Sequence, residues 1–217
     1  MTEAEWLTCT HPFAMLEFLR GKASGRKLRL IGCGCCRRVW HLLSDLRPQL
    51  AVECAERYAD GTAADEERRL ARHGAQMARG SAPKDRRIRS AIKATYEVAN
   101  LDPMVAAYSG GYIVPSGYIP TGVRADDHEE LTRHSLIIRD IFGNPFRPVT
   151  FLPEWLTSTV VSLANQMYDS RDFSAMPILA DALEDSGCDD GVVLQHCRGP
   201  GPHVRGCWCV DLLTGRE

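Results

Sequence analysis

The sequence predicts an all-α fold of about ten helices packed as helical hairpins around an irregular Gly/Pro/Tyr-rich central loop. Three observations carry this. Helix caps and stop signals recur along the whole chain. Apolar residues between them follow three-four spacing. Stretches with the alternating pattern of a half-buried strand are missing.

The elements follow in order. Thr2 and Glu5 have capping-box spacing, so a short helix starts there. Pro12 suits the first turn of a second helix, which Gly21 stops. Ser24 caps a long helix predicted to run to about residue 45, with Leu28, Ile31, Cys35, Val39, Leu42 and Leu46 as its apolar stripe. Pro48 opens the next helix, which ends at Gly61. Thr62 caps a charged helix over 65–79, whose early acids and late arginines suit the helix dipole. Residues 84–101 read as another. Residues 108–123 hold too many Gly and Pro to continue a helix. Asp126 or Asp127 starts a helix that Gly143-Asn144-Pro145 ends. Pro153 opens one reaching Met167, and another spans about 176–186. Asp189 or Asp190 caps a short helix to Cys197, and a last helix is predicted from His203 to Leu213.

The 217 residues divide into a basic helical lobe (1–107), a loop or linker (108–123) and an acidic helical lobe (124–217), which one compact body could also contain. Residues 1–100 carry 18 Lys and Arg against 12 Asp and Glu, and the remainder 8 against 16. The halves therefore complement each other. No apolar run approaches the roughly 18 residues a membrane-crossing helix needs. The acidic Met1-Thr2-Glu3-Ala4-Glu5-Trp6 start lacks the pattern of a secretory signal, which points to a cytoplasmic protein. Nine cysteines, an odd number, then read as thiols or metal ligands rather than a disulfide scaffold.

Several strings resemble an uncharacterised bacterial family expanded in planctomycetes. They are residues 1–6 (MTEAEW), 15–24 (MLEFLRGKAS), 35–43 (CCRRVWHLL), 141–149 (IFGNPFRPV) and the segment 196–213. That family has no established activity, so the resemblance implies a bacterial, cytoplasmic setting and transfers no catalytic residue.

Two cysteine clusters carry the candidate chemistry. Cys33 and Cys36 share a helix face three residues apart, where packing in the core competes with metal binding. The second cluster surrounds the Gly199-Pro200-Gly201-Pro202 turn. On the predicted last helix His203 and Cys207 share a face, whereas Cys207 and Cys209 do not. His203, Cys207, Cys197, His196, Cys33 and Cys36 are the candidate metal ligands, and thiolate with imidazole favours zinc. The same face would align Cys207, His203 and Asp211 as the parts of a thiol catalyst. Gly199 and Gly201 with Arg198 and Arg205 have a weak anion-binding pattern.

Tyr108, Tyr112 and Tyr118 are candidates for a partner surface, since tyrosine combines apolar area with a polar tip. The expected partner is another protein. The basic run Lys84, Arg86, Arg87, Arg89, Lys93 wraps around more than one helix face and matches no nucleic-acid motif. No catalytic motif is complete. The expected function is a non-catalytic interaction or scaffold module, with a zinc-stabilised binding protein as the alternative and a cysteine-dependent enzyme as a further one.

Overall fold

A computed structural model of the chain describes the backbone of residues 1–112 and 125–216, and the side chains of 1–110 and 128–216. The fold is all-α, with twelve α-helices, three single 3-10 turns and no strand among the described residues. Two compact units divide it, Met1–Ser135 and Leu136–Glu217. The division falls further along the chain than the expected linker at 108–123.

The first unit contains α1 (Glu3–Thr8), α2 (Pro12–Leu19), α3 (Gly25–Arg38), α4 (Leu46–Ala59), α5 (Asp65–Ser81), α6 (Arg86–Val98), α7 (Pro103–Tyr108) and most of α8 (Ala125–Phe142). Local chemistry starts these helices. Thr2 and Glu5 form the reciprocal capping box, and Ser24, Asp45, Asp85 and Asp102 accept from first-turn amides of α3, α4, α6 and α7. At α5 the expected cap fails. Ala64 occupies the N-cap position, while the Thr62 hydroxyl turns back to the Arg57 carbonyl at 3.1 Å.

Helix α3 is shorter than its apolar periodicity predicts. It stops at Arg38, and a 3-10 turn, Trp40–Leu42, precedes the Asp45-capped start of α4. The Arg37 guanidinium lies 4.1 Å from the Trp40 ring centroid while also donating twice to Glu56. Leu43 packs with Ala91 and Ile92 of α6. These tertiary contacts outweigh one more turn of helix. Within the unit α3 packs on α4, α6 and α7. Gly32 permits the approach of α7, because a Cβ there would sit 2.2 Å from the Ala106 carbonyl oxygen.

The second unit holds the end of α8, then α9 (Ser158–Ser170), α10 (Met176–Asp185), α11 (Gly191–Arg198) and α12 (Trp208–Thr214). Pro153 opens only a 3-10 turn, Pro153–Trp155, and Thr157 caps the following helix. Asp190 caps α11 with both carboxylate-directed amides, from Val192 and Val193. Helix α10 packs on α9 and α11, and α12 on α9. One core runs through the unit, from Trp155 and Val160 to Met167, Leu179, Leu183, Val193, Trp208 and Leu213.

A candidate metal centre in the second unit

The predicted last helix begins late. Residues 203–207 are not helical, and α12 starts at Trp208 with Cys207 as its N-cap. The contacts that hold this segment out of the helix come from Asp140, in the last turn of α8. Its Oδ1 lies 2.9 Å from His203 Nδ1, and its Oδ2 accepts from the Val204 amide at 2.9 Å. A carboxylate 63 residues away along the chain thus holds the His203 segment across the end of α8. Gly206, at φ +95°, turns the chain into α12.

This arrangement brings His196 and Cys207 to the same point. The His196 Nε2 to Cys207 Sγ distance is 3.1 Å, and His196 Nε2 to Asp140 Oδ1 is 3.5 Å. Asp140, His196, His203 and Cys207 each offer one ligand atom, and these atoms all lie within 4.8 Å of one another. Zinc bonded to N and O at about 2.0–2.1 Å and to S at about 2.3 Å sets tetrahedral ligands about 3.3–3.6 Å apart. Three of the separations, 2.9, 3.1 and 3.5 Å, lie near or somewhat below those edges, and the whole set falls within 4.8 Å.

Neighbouring side chains fix the rings. The His196 ring lies 4.9 Å from that of His203, edge-on, and 4.8 Å from that of Trp208. Trp208 in turn packs where Gly143 ends α8; a Cβ at Gly143 would meet the Trp208 ring at 3.2 Å. The side chains of Asp140 and His203 are 3% and 9% exposed, and His196 is 18% exposed. Cys207 is wholly buried.

The electrostatics are those of a site short of positive charge. Burial pushes the Asp140 carboxyl above its ordinary range, although His203, the Val204 amide and Cys207 all pull it down. Burial, followed by the Asp140 charge, drives the Cys207 thiol well above its usual value. Burial, with His203 second, pulls His196 down to about 3, so its ring is neutral at pH 7 with a lone pair to donate. A divalent cation reverses the burial cost of thiolate and carboxylate alike.

A catalytic thiol relay requires the carboxylate to hold the imidazole nitrogen remote from the thiol. Here Asp140 and Cys207 both approach the same nitrogen, His196 Nε2. That geometry converges on a point instead of passing a proton along a line. Asp211, expected on the face of His203 and Cys207, is buried one turn into α12, where its amide donates to the Cys207 carbonyl at 2.8 Å. It is not in the convergent group.

The other sequence candidates lie apart. Cys197 points to Cys209, Sγ to Sγ 3.4 Å, both fully buried. Cys33 and Cys36 belong to the first unit, in a core with Val52, Ala55, Ala94, Val98 and Ala106. None of the nine cysteines is in a disulfide. The expected anion pattern is also rearranged, with Arg198 held by Asp181 and Glu184 and the Arg205 guanidinium over the Tyr168 ring. Tyr108 stacks on Phe13 at 5.7 Å and donates to Glu17; the side chains of Tyr112 and Tyr118 lie outside the described residues.

Of the sequence candidates, the structure brings His196, His203 and Cys207 together, and it adds Asp140, which sequence reasoning did not single out. A signal existed. Asp140 sits on the α8 stripe that buries Ile137 and Ile141, and a carboxylate on a buried stripe requires a partner.

No protein-family model matches the chain, nor does any curated protein or solved structure. No helix among the described residues is long and apolar enough to cross a membrane.

Proposed function

We propose that the chain is a zinc-stabilised binding protein, its metal held by Asp140, His196, His203 and Cys207. The observation that carries this reading is the convergence of four ligand atoms, from α8, α11, the turn and the N-cap of α12, within 4.8 Å of one another. A donor set of one thiolate, two imidazoles and one carboxylate suits zinc by softness and by coordination number. The metal would tie the end of α8 to the α11–α12 hairpin, so binding free energy becomes folding free energy for this unit.

Elemental analysis of freshly purified protein tests it. The expected content is about one zinc per chain in the wild type and a large loss in Cys207→Ser. Fewer than about one zinc in ten wild-type chains, after purification without chelator, overturns the reading.

A further inference from the structure

Arg37, Arg57, Arg69 and Arg72, on α3, α4 and α5, each meet a carboxylate: Glu56, Glu67, Glu66 and Glu97. The corner where α5 turns into α6 differs. Arg79 in the last turn of α5, Lys84 in the connection, and Arg86, Arg87 and Arg89 in α6 form no ion pair with a described residue. We infer that this corner binds duplex DNA through its phosphate backbone, without regard to sequence. The corner belongs to Met1–Ser135 and the four convergent ligands to Leu136–Glu217, so the inference is independent of the zinc reading.

Charge placement supplies the first argument. Residues 70–96 hold seven Lys and Arg against one acid, Asp85. That carboxylate is engaged by α6 itself, accepting from the Arg87 and Ile88 amides at 2.7 and 3.1 Å. Helix α5 follows its dipole, with Asp65, Glu66 and Glu67 in the first turn and Arg79 in the last. Helix α6 reverses that rule. Its first turn has no acid and carries the exposed Arg86 and Arg87, where the dipole disfavours cations. Ala91, Ile92, Ala94, Thr95 and Val98 form its buried face. At about 100° per residue, Arg86 and Arg89 fall within about 60° of each other on the opposite face, with Lys93 between them in angle, and Arg87 stands about 100° from Arg86. Like charges three and four residues apart repel. A helix that gathers cations against its own dipole loses stability unless an anion answers them.

The rest of the corner selects the partner. Between residues 78 and 100 no large apolar side chain is exposed. A protein interface is built on an apolar and aromatic centre. An anionic membrane holds a helix by apolar insertion as well as by charge. The exposed Leu70 and Met77 share a face of α5, but Arg79 lies about 160–180° around the helix from them. Single strands require aromatic platforms for their bases, and Tyr96, the one aromatic of residues 70–96, is faced by Arg72. Recognition of double-stranded RNA draws also on its 2′-hydroxyls. B-form DNA is held non-specifically by phosphate neutralisation alone, which needs no motif. Guanidinium is the cation that matches phosphate oxygens best.

Fluorescence anisotropy of a labelled DNA duplex of about 20 base pairs and mixed sequence, titrated with the full chain between about 50 and 200 mM salt, tests this. Lys84, Arg86, Arg87 and Arg89, neutralising one phosphate each, predict that log K falls with log salt at a slope of about −3.6. Arg86→Gln with Arg89→Gln is expected to melt as the wild type does and to halve the slope to about −1.8. Should that pair fail to fold, Lys84→Gln with Arg87→Gln carries the same expectation. Arg57→Gln with Arg69→Gln removes equal charge from arginines already paired, and is expected to keep the wild-type slope. Absence of saturable binding at about 50 mM salt, a slope that Arg86→Gln with Arg89→Gln leaves unchanged, or an equal loss in the paired-arginine variant overturns the inference. Tighter binding of a single strand, of an RNA duplex or of phosphatidylserine vesicles than of duplex DNA overturns it as well. None of these results bears on zinc content, so the metal reading stands or falls separately.

Discussion

Asp140→Asn separates the two roles of this carboxylate. The substitution keeps the shape of the side chain and an oxygen able to accept from the Val204 amide, a 2.9 Å contact in the wild type. It removes the charge that would face the cation. Without metal, the variant loses at most one hydrogen bond and is relieved of a buried ionisable carboxyl, so its stability should stay within about 1 kcal/mol of wild type. With metal the two proteins should diverge. Zinc at 100 times its Kd stabilises the folded state by about 2.7 kcal/mol. Weakening binding about 100-fold, the upper end for groups outside the coordination shell and the minimum for a ligand, leaves zinc at its Kd and a gain of only about 0.4 kcal/mol. For a unit of this size that is a melting shift of about 10–20 °C in the wild type against about 2–3 °C in the variant. Thermal melts with and without zinc, under conditions that keep the thiols reduced, read this directly. Equal zinc-induced shifts in the two proteins would refute the placement of Asp140 at the metal.

Other outcomes test the surrounding structure. Gly143→Ala places a Cβ at φ +61° and 3.2 Å from the Trp208 ring; it should destabilise by about 1–3 kcal/mol, and a melt within about 0.5 kcal/mol of wild type would contradict this packing. Glu56→Ala removes the buried acceptor of both Arg37 donors, with Arg37 itself 25% exposed; the expected cost is about 2–3 kcal/mol, measured by urea unfolding. In the first unit, burial works against a charged His134, yet Cys35 and Glu130, its 3.2 Å ion-pair neighbour, raise it from 6.5 to about 9. A raised histidine stabilises fully below pH 6.5 and ceases to do so as pH climbs through about 9. Urea midpoints should therefore fall across that window, and His134→Gln should flatten the slope; an identical slope in the variant would dismiss the histidine as its source.

Much of the helical layout was legible because it depends on residues within one turn of each other. The Thr2–Glu5 box, the Ser24 cap, the Asp190 cap and the stop at Gly143 each act over three or four positions. The failures have a common origin in distance. The stripe from Leu28 to Leu46 continues in sequence, but Arg37 on Glu56 and Leu43 on α6 break the helix between them. At Thr62 the hydroxyl finds the end of the preceding helix before the start of the next.

For the candidate site, the sequence by itself determined the reagents: two histidines and a cysteine grouped around a Gly-Pro-Gly-Pro turn, in a chain whose punctuation is helical throughout. It also predicted that Cys207 and Cys209 would diverge, and they do, one toward His196 and the other toward Cys197. Tertiary structure alone decided that His203 leaves the helix, that Asp211 stands aside and that Asp140 completes the group. The physical reason is that a buried carboxylate must find donors wherever the fold places them. Asp140 finds His203 and Val204, 63 and 64 residues away, and in capturing them it brings His203 and Cys207, from a stretch that reads as helix, together with His196 and its own carboxylate.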